Sequence, residues 1–329
     1  MTALGLTFHS VLAEPITIYV KAKCTIGCRF AGEARALRLF DRFLVAQRVA
    51  TVDAISRDVI DAFLASRPRP EARSDNDLLG TVRRFFELMM AQQVLRASPV
   101  RATRRREGPC RRPFLFNMAQ MRQLLEMSRL LPDRNRGPRR GPTYYAIFAV
   151  LYGLGLRIGE VSRLTVGDLD LERRVLWIRN SKFGKSRLVP FGPRLESVLR
   201  MHVEQSRHAQ QRSPAAPLFT FNGHRGVSPN SIRNAFRDHL IPRLGFVVPP
   251  GTRRPRVHDL RHSFAVGALL RWYRAGVDPA VRLPHLSTFL GHINPSATAV
   301  YLTMTEELLD EANRRFSTFA PHATAEVTP

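Results

Sequence analysis

Apolar side chains recur at helical spacing through most of this chain. Residues 33–49, EARALRLFDRFLVAQRV, place Leu37, Phe40 and Leu44 on one helix face. Residues 56–66 follow the same rule, as do residues 76–95 through Leu78, Leu79, Val82, Phe85, Phe86, Leu88 and Met89. Together they predict a small all-helical N-terminal domain over residues 1–98. From Phe114 the pattern resumes, broken by a Pro/Gly/Arg loop at 132–142. TYYAIFAVLYGLGL then predicts a buried helix ending at Gly153 and Gly155, and RIGEVSRL a second one with Ile158, Val161 and Leu164 inward.

The segments RVLWIRN (174–180) and SRLVPF (186–191) are rich in β-branched and bulky residues, and the polar turn around SKFGK joins them. They predict an antiparallel hairpin. Helices return in RHSFAVGALLRWYRAG, in a short segment ending at LGH, in PSATAVYLTM and near residues 305–319. No repeat of 20 to 50 residues is visible. The expected fold is mainly α with a small antiparallel β-sheet, the sheet lying in a C-terminal domain over residues 114–329.

Between the two domains lies SPVRATRRREGPCRRP, which carries Arg101, Arg104, Arg105, Arg106, Arg111 and Arg112 between prolines. Such a composition predicts a basic linker over residues 99–113. It either wraps a duplex backbone or stays a solvated tether; composition fits both.

Charge narrows the partner. Lys+Arg outnumber Asp+Glu by 51 to 27, a formal charge of +24, which destabilises a compact chain unless a polyanion neutralises it. Nucleic acid is the natural polyanion. A membrane surface fits less well, because the arginines are spread along the whole chain and no apolar run is long enough to span a bilayer. The first residues, MTALGLTFHS, lack the pattern of a signal peptide, so a cytoplasmic location is expected. Cys24, Cys28 and Cys110 are too few and too unevenly placed for a disulfide framework, and the Cys24/Cys28 pair reads as two reduced thiols before it reads as half a zinc site. Lysine occurs only at positions 21, 23, 182 and 185. A desolvated lysine can release a proton at neutral pH and arginine cannot, so Lys182 and Lys185 stand out.

The stretch VHDLRHSFAVG, residues 257–267, has two readings. His258 and His262 have the H-x-x-x-H spacing of a zinc hydrolase, while His258 and Arg261 share a face suited to a phosphate. A zinc hydrolase needs a third ligand and a glutamate base; here Asp259 sits between the histidines and no third ligand stands out. No metal is expected. The phosphate reading gains partners elsewhere: Arg157 at a predicted helix start, where its guanidinium and nearby amides can face an anion, the lysines of the hairpin turn, and His292 followed by Tyr301.

Taken in order, Arg157, Lys182, H-x-x-R at 258–261, L-G-H at 290–292 and Tyr301 make the sequence resemble the tyrosine site-specific recombinases, or phage integrases. The match runs by motif over residues 140–302. The N-terminal helical domain is similar to that family's core-binding domain. SKFGKSRLVP is also similar to integrases carried by transposons and other mobile elements.

The resemblance implies an enzyme that cleaves and rejoins DNA through a 3′-phosphotyrosine, with Tyr301 as nucleophile and no cofactor. Arg157 and Arg261 would neutralise the transition-state phosphate, Lys182 would protonate the leaving 5′-oxygen with Lys185 as its rival, His258 would exchange the tyrosine proton, and His292 would hydrogen-bond the phosphate. It further implies double-stranded DNA as the partner and a homotetramer on two paired sites, with partner recombinases where the reaction needs them. Glu160 is either an orienting residue behind the site or a solvated helix position. His262 is expected as a packed or hydrogen-bonded helix residue, and the other five tyrosines as ordinary aromatics. Lys185, Arg187, Arg253 and Arg254 join the linker arginines as candidate DNA contacts.

Two stretches depart from the compact pattern: residues 271–292 run a few residues long, and 242–256 are rich in proline and arginine. The helix TEELLDEANRRFSTF has apolar spacing suited to docking on a neighbouring subunit or on its own. Two other readings stand beside the recombinase: a type IB topoisomerase-like relaxing enzyme, and a DNA-binding regulator with a relic site.

Overall fold

The computed structural model describes residues 5–314 apart from 29, 110, 135–136, 182–183, 206–212, 293, 295, 304–307 and 312. The chain divides into two compact units, Met1–Cys110 and Arg111–Pro329.

The first unit is built from α1 (Ala13–Thr25), α2 (Ala31–Ala46), α3 (Arg57–Ala65) and α4 (Ala72–Ala91). Its core holds the periodic positions read from the sequence, Leu37, Phe40, Leu44, Phe85 and Phe86 among them, joined by Ile16 and Phe63. Phe40 meets Phe63 and Phe86, and the tilted and edge-on rings fill the space between α2, α3 and α4. Asp41 is buried on α2, where its carboxylate accepts the amides of His9 and Ser10 just ahead of α1. A buried carboxylate needs such donors, so this bond fixes where α1 begins.

The segment read as a basic linker, either a duplex wrap or a solvated tether, is fastened to this unit. Val100 is buried in the core. Arg83 donates to the carbonyl of Ala102 at 2.6 Å. Asn76 on α4 donates to the Arg105 carbonyl at 2.9 Å, and the Arg105 amide returns a bond to Asn76 Oδ1 at 2.8 Å. Composition missed this, because one asparagine that pairs with a backbone can hold an extended strand without an apolar face. The guanidiniums of Arg101, Arg104, Arg105 and Arg106 still lie on the surface.

The second unit opens with α5 (Met118–Arg129), whose capping box is made by Asn117 and Gln120. It packs on α6 (Arg140–Gly153), which is apolar on nearly every side and runs through the centre of the core. The two helices approach so closely at Gly141 that a Cβ there would lie 2.0 Å from the Arg129 carbonyl oxygen. After the short α7 (Ile158–Val161) come β1 (Leu169–Asp170), β2 (Val175–Ile178) and β3 (Arg187–Pro190), an antiparallel sheet in that order. The predicted hairpin is β2 with β3, in a register that pairs Leu176 with Val189 and Trp177 with Leu188. Leu176, Ile178 and Val189 face the core while Trp177 and Leu188 face outward, as a two-residue period requires.

Then follow α8 (Pro193–Gln205), α9 (Pro229–Asn234), a wide-pitched turn over Ala235–Leu240 and α10 (Ile241–Leu244). The long α11 (Val257–Arg274), α12 (Pro279–Leu290), α13 (Ser296–Ala299) and a 3-10 turn over Val300–Thr303 close the unit. A second apolar cluster gathers Ala265, Leu269, Leu286, Leu290, Tyr301 and Leu308. Leu308, in the segment expected to dock on a subunit, is therefore buried against its own chain. No helix among the described residues is long and apolar enough to cross a membrane.

Replacing Asn76 by Ala leaves the Arg105 amide and carbonyl unpaired. The first unit should lose about 1–3 kcal/mol of stability in urea unfolding. The Arg105 amide should exchange its hydrogen faster, and trypsin should cut sooner within residues 101–106; unchanged exchange and cleavage would show that the segment is held by other contacts.

Candidate active site

The site lies where three stretches of the second unit meet: the turn 154–157 that follows α6, the first two turns of α11, and the Leu290–His292 turn that ends α12. Gly155 and Gly291 make two of these turns possible. Both have positive φ, +58° and +70°, and a Cβ on Gly155 would lie 2.6 Å from the Phe264 ring, one on Gly291 2.7 Å from the Arg187 guanidinium. Only glycine fits either place.

Arg261 projects from α11 into the interior and is 1% exposed. Its two terminal nitrogens donate to the carbonyls of Gly155 and Leu290, each at 2.8 Å. Burial, and then the nearby Arg157, lower its pKa to about 10, so the guanidinium stays charged at neutral pH. Arg157 approaches the same turn from the other side and donates to the Gly291 carbonyl at 2.8 Å and to Ser181 Oγ at 3.3 Å. Two guanidiniums far apart in sequence thus share one turn.

Glu160 sits beneath them. It is 4% exposed, not solvated. Its oxygens accept from Arg157 Nη1 at 2.9 Å, from both terminal nitrogens of Arg187 at 3.0 Å, and from the Ser181 hydroxyl. Burial alone would raise its pKa, but the bonds and charge of Arg187, with Ser181 and the Arg157 amide, bring it down to about 2. That amide, which donates to Glu160 Oε2 at 2.9 Å, is therefore not open to an anion as the helix-start reading had it.

Arg187, expected as a DNA contact, is a correction too. Its guanidinium is 10% exposed, paired fork to fork with Glu160, and its Nε donates to the Phe289 carbonyl at 2.8 Å. The neighbouring Glu160 on another element, invisible to sequence spacing, captured it. It braces the end of α12 against β3.

Tyr301 is 3% exposed, with its ring in the second apolar cluster and its hydroxyl in the polar site. Burial raises its pKa, against which Arg261 and then Arg157 act. The hydroxyl lies 3.1 Å from His262 Nδ1. His292 stacks on the Tyr301 ring and its Nδ1 is bonded to Thr298 at 2.7 Å. His258, at the exposed mouth, meets His262 edge-on at 4.7 Å. The pKa values of all three imidazoles fall to about 4, through burial first and then neighbouring positive charge. They are neutral at pH 7.

The zinc reading of His258 and His262 finds no support in this arrangement. Asp259 is fully buried and turns its carboxylate to the Arg256 amide and guanidinium, at 2.8 and 3.1 Å. Among the described residues no group of histidine, cysteine and carboxylate side chains could hold a metal ion.

Of the remaining candidates, Lys182 lies outside the described residues. Lys185 is exposed on the same turn, where its carbonyl accepts the Ser181 amide. Backbone pairing of Arg112 with Gly251 and Arg253 brings Arg111 and Arg112 alongside Arg253 and Arg254, joining two stretches that the sequence kept 140 positions apart. His262, expected as a packed or hydrogen-bonded helix residue, is hydrogen-bonded, and its partner is the Tyr301 hydroxyl, which no local spacing could name.

A helical domain with one small sheet, and a site in which guanidiniums converge on a tyrosine, define a DNA recombinase, an enzyme that cleaves and rejoins DNA at specific sites. Residues 118–307 match the model of the phage integrase family. The chain is 32% identical to the integrase/recombinase y4rB of Sinorhizobium fredii, over 93% of this chain and 97% of that protein. It is 24% identical to the tyrosine recombinase XerC of Bacillus licheniformis, over 84% and 86%. Its fold is similar to that of the Tn1549 transposon integrase solved in complex with transposon right end DNA, with a TM-score of 0.62, 19% identity and coverage of 93% and 99%. The chain belongs to the phage integrase family.

Acid should destabilise this site in two stages. The histidines titrate near 6.5 when unfolded and near 4 when folded, so the unfolded chain binds more protons as pH falls from 6.5 to 4, and stability drops. Glu160, ordinarily near 4.5 and here near 2, adds a second loss between those values, worth about 3 kcal/mol. In Glu160→Gln the second stage should vanish from urea unfolding measured against pH, with lower stability at pH 7 because Arg187 loses its counter-charge. A variant as stable as the parent at pH 7, with the same acid slope, would contradict the ion-pair account.

Proposed function

We propose that Tyr301 attacks a DNA phosphodiester held by Arg157 and Arg261, forming a 3′-phosphotyrosine and releasing a 5′-hydroxyl. The observation that carries this reading is the shared turn: both guanidiniums are anchored to the carbonyls of Leu290 and Gly291, and the positive charge of both acts on Tyr301. Each guanidinium has further N–H donors to turn toward a non-bridging oxygen. Charge builds on those oxygens as the bond to phosphorus forms, and fixed cations in a water-poor site stabilise it. His292, beside Tyr301, would donate to the phosphate. The leaving oxygen takes its proton from a lysine of the 181–185 turn, Lys182 or Lys185. The ester bond energy is kept in the covalent intermediate, so the reverse step with another 5′-hydroxyl exchanges strands without a cofactor.

The exposed arginines at 101–106, at 111–112 and at 254, with the half-buried Arg253, would supply phosphate contacts on the duplex. Affinity should then fall steeply with salt. We infer further that the chain works as a homotetramer on two paired sites, which sedimentation of its DNA complex would establish.

The decisive measurement traps covalent protein–DNA adducts on fragmented genomic DNA, sequences the joined ends, and rebuilds the recovered site as a nicked suicide duplex. The parent chain should leave a 3′-linked adduct, Tyr301→Phe none, and Arg261→Lys should cleave about 10²–10³-fold more slowly. An adduct that survives in Tyr301→Phe would sink the assignment.

A further inference from the structure

We propose that His262, rather than His258, is the base that takes the phenol proton from Tyr301, through the hydrogen bond that already joins His262 Nδ1 to the Tyr301 hydroxyl at 3.1 Å. The proposal rests on the reading of Tyr301 as nucleophile.

Three groups stand in line. Asp259, one turn back on α11 and fully buried, has Oδ1 4.0 Å from His262 Nε2. That is too long for a hydrogen bond but close enough for the carboxylate to favour a proton on Nε2 and to stabilise an imidazolium. With the proton on Nε2, the lone pair of Nδ1 faces the phenol, which donates to it. The order carboxylate, imidazole, hydroxyl is that of an activated nucleophile: an orienting acid, a base and an attacking oxygen within reach of it. The other two imidazoles are placed differently. His292 Nδ1 is engaged by Thr298, and the His258 ring lies against His262 at the mouth of the site.

Charge around His262 keeps it in the form the step requires. The groups that face it are Arg256, His258, Asp259 and Arg261 from α11 and Tyr301 from the 300–303 turn. Burial and then the two arginines lower its pKa to about 4, so it is unprotonated at neutral pH.

In cleavage the O–H bond of Tyr301 breaks and its proton moves to Nδ1. The phenolic oxygen bonds to phosphorus, the bond from phosphorus to the 5′-oxygen breaks, and that oxygen takes a proton from the general acid. His262 is left as an imidazolium. In religation the incoming 5′-hydroxyl returns its proton to the conjugate base of that acid, and the imidazolium returns its own to the phenol. No oxidant or reductant enters.

The first test needs no DNA. In the full chain labelled with ¹⁵N-histidine, His262 should carry its proton on Nε2, and its Nδ1 resonance should move toward that of an unbonded nitrogen in Tyr301→Phe. A proton on Nδ1, or no movement, overturns the proposal.

The second uses the suicide duplex recovered above. His262→Asn keeps an oxygen that can accept the hydrogen bond but not the proton. Single-turnover cleavage should slow about 10²–10⁴-fold with DNA affinity and melting temperature held, and the rise of rate with pH on the acid side should disappear. It should persist in His258→Asn. A sulfur in place of the bridging 5′-oxygen removes the need for a general acid and should leave the His262→Asn defect intact. Parental rate and pH profile in His262→Asn, or rescue of that variant by the sulfur substrate, overturns the proposal. No adduct from the parent chain would instead defeat the reading of Tyr301, and this inference with it.

Discussion

One carboxylate holds the catalytic unit's polar interior together. Glu160 is nearly inaccessible to water, and a lone buried carboxylate would be untenable. It persists because Arg157, Arg187, Ser181 and a backbone amide all donate to it. Through Arg157 it is joined to the turn after α6, through Arg187 to β3 and the end of α12, and through Ser181 to the turn after β2. Together with the bonds from Arg157 to Gly291 and Ser181 and from Arg187 to Phe289, it locks these stretches in one arrangement. A loss there would be felt at every one of them.

The same cluster leaves a charge imbalance that is useful. Arg157, Arg187 and Arg261 lie within reach of one another's fields, and the Glu160 carboxylate acts against them on Arg261. Three positive charges against one negative make a site that is short of anions. Burial first, and then positive neighbours, keep the imidazoles neutral well below their ordinary range. A phosphodiester bound as proposed would supply the missing negative charge and relieve a repulsion built into the fold.

How much of this could be read from the chain depends on whether the cause was local. The helices around Leu37, Phe85 and Ile147 and the β2–β3 hairpin are legible because apolar spacing is a local pattern, and the structure has them at those positions. The ordered arginine, H-x-x-R, L-G-H and tyrosine motifs were legible because each needs only its own few residues. Arg187 was not. Its neighbours on the chain suggest a solvent-facing cation on a hairpin, and only the tertiary approach of Glu160 turns it inward. Asn76 misled in the opposite sense: nothing near residue 105 announces that a side chain 29 positions earlier will bond its backbone. The role of His262 falls between these cases, since its spacing from Arg261 was plain but the partner that gives it meaning lies 39 residues downstream.

The weak basicity of His262 looks at first like an argument against using it to deprotonate a phenol whose own pKa is raised by burial. Before DNA binds it is one, and that is an advantage. An exposed, activated tyrosine next to a strong base would react with any phosphodiester that brushed past. Here the arginines that disfavour an imidazolium are Arg256 and Arg261, and Arg261 is a ligand proposed for the phosphate. Once a non-bridging oxygen neutralises that guanidinium, the field at His262 weakens while the attraction of Asp259 remains, and its affinity for a proton rises. In the proposed mechanism the phosphate that is to be attacked would therefore switch on the base that readies the attacker, tying proton transfer to substrate binding through electrostatics.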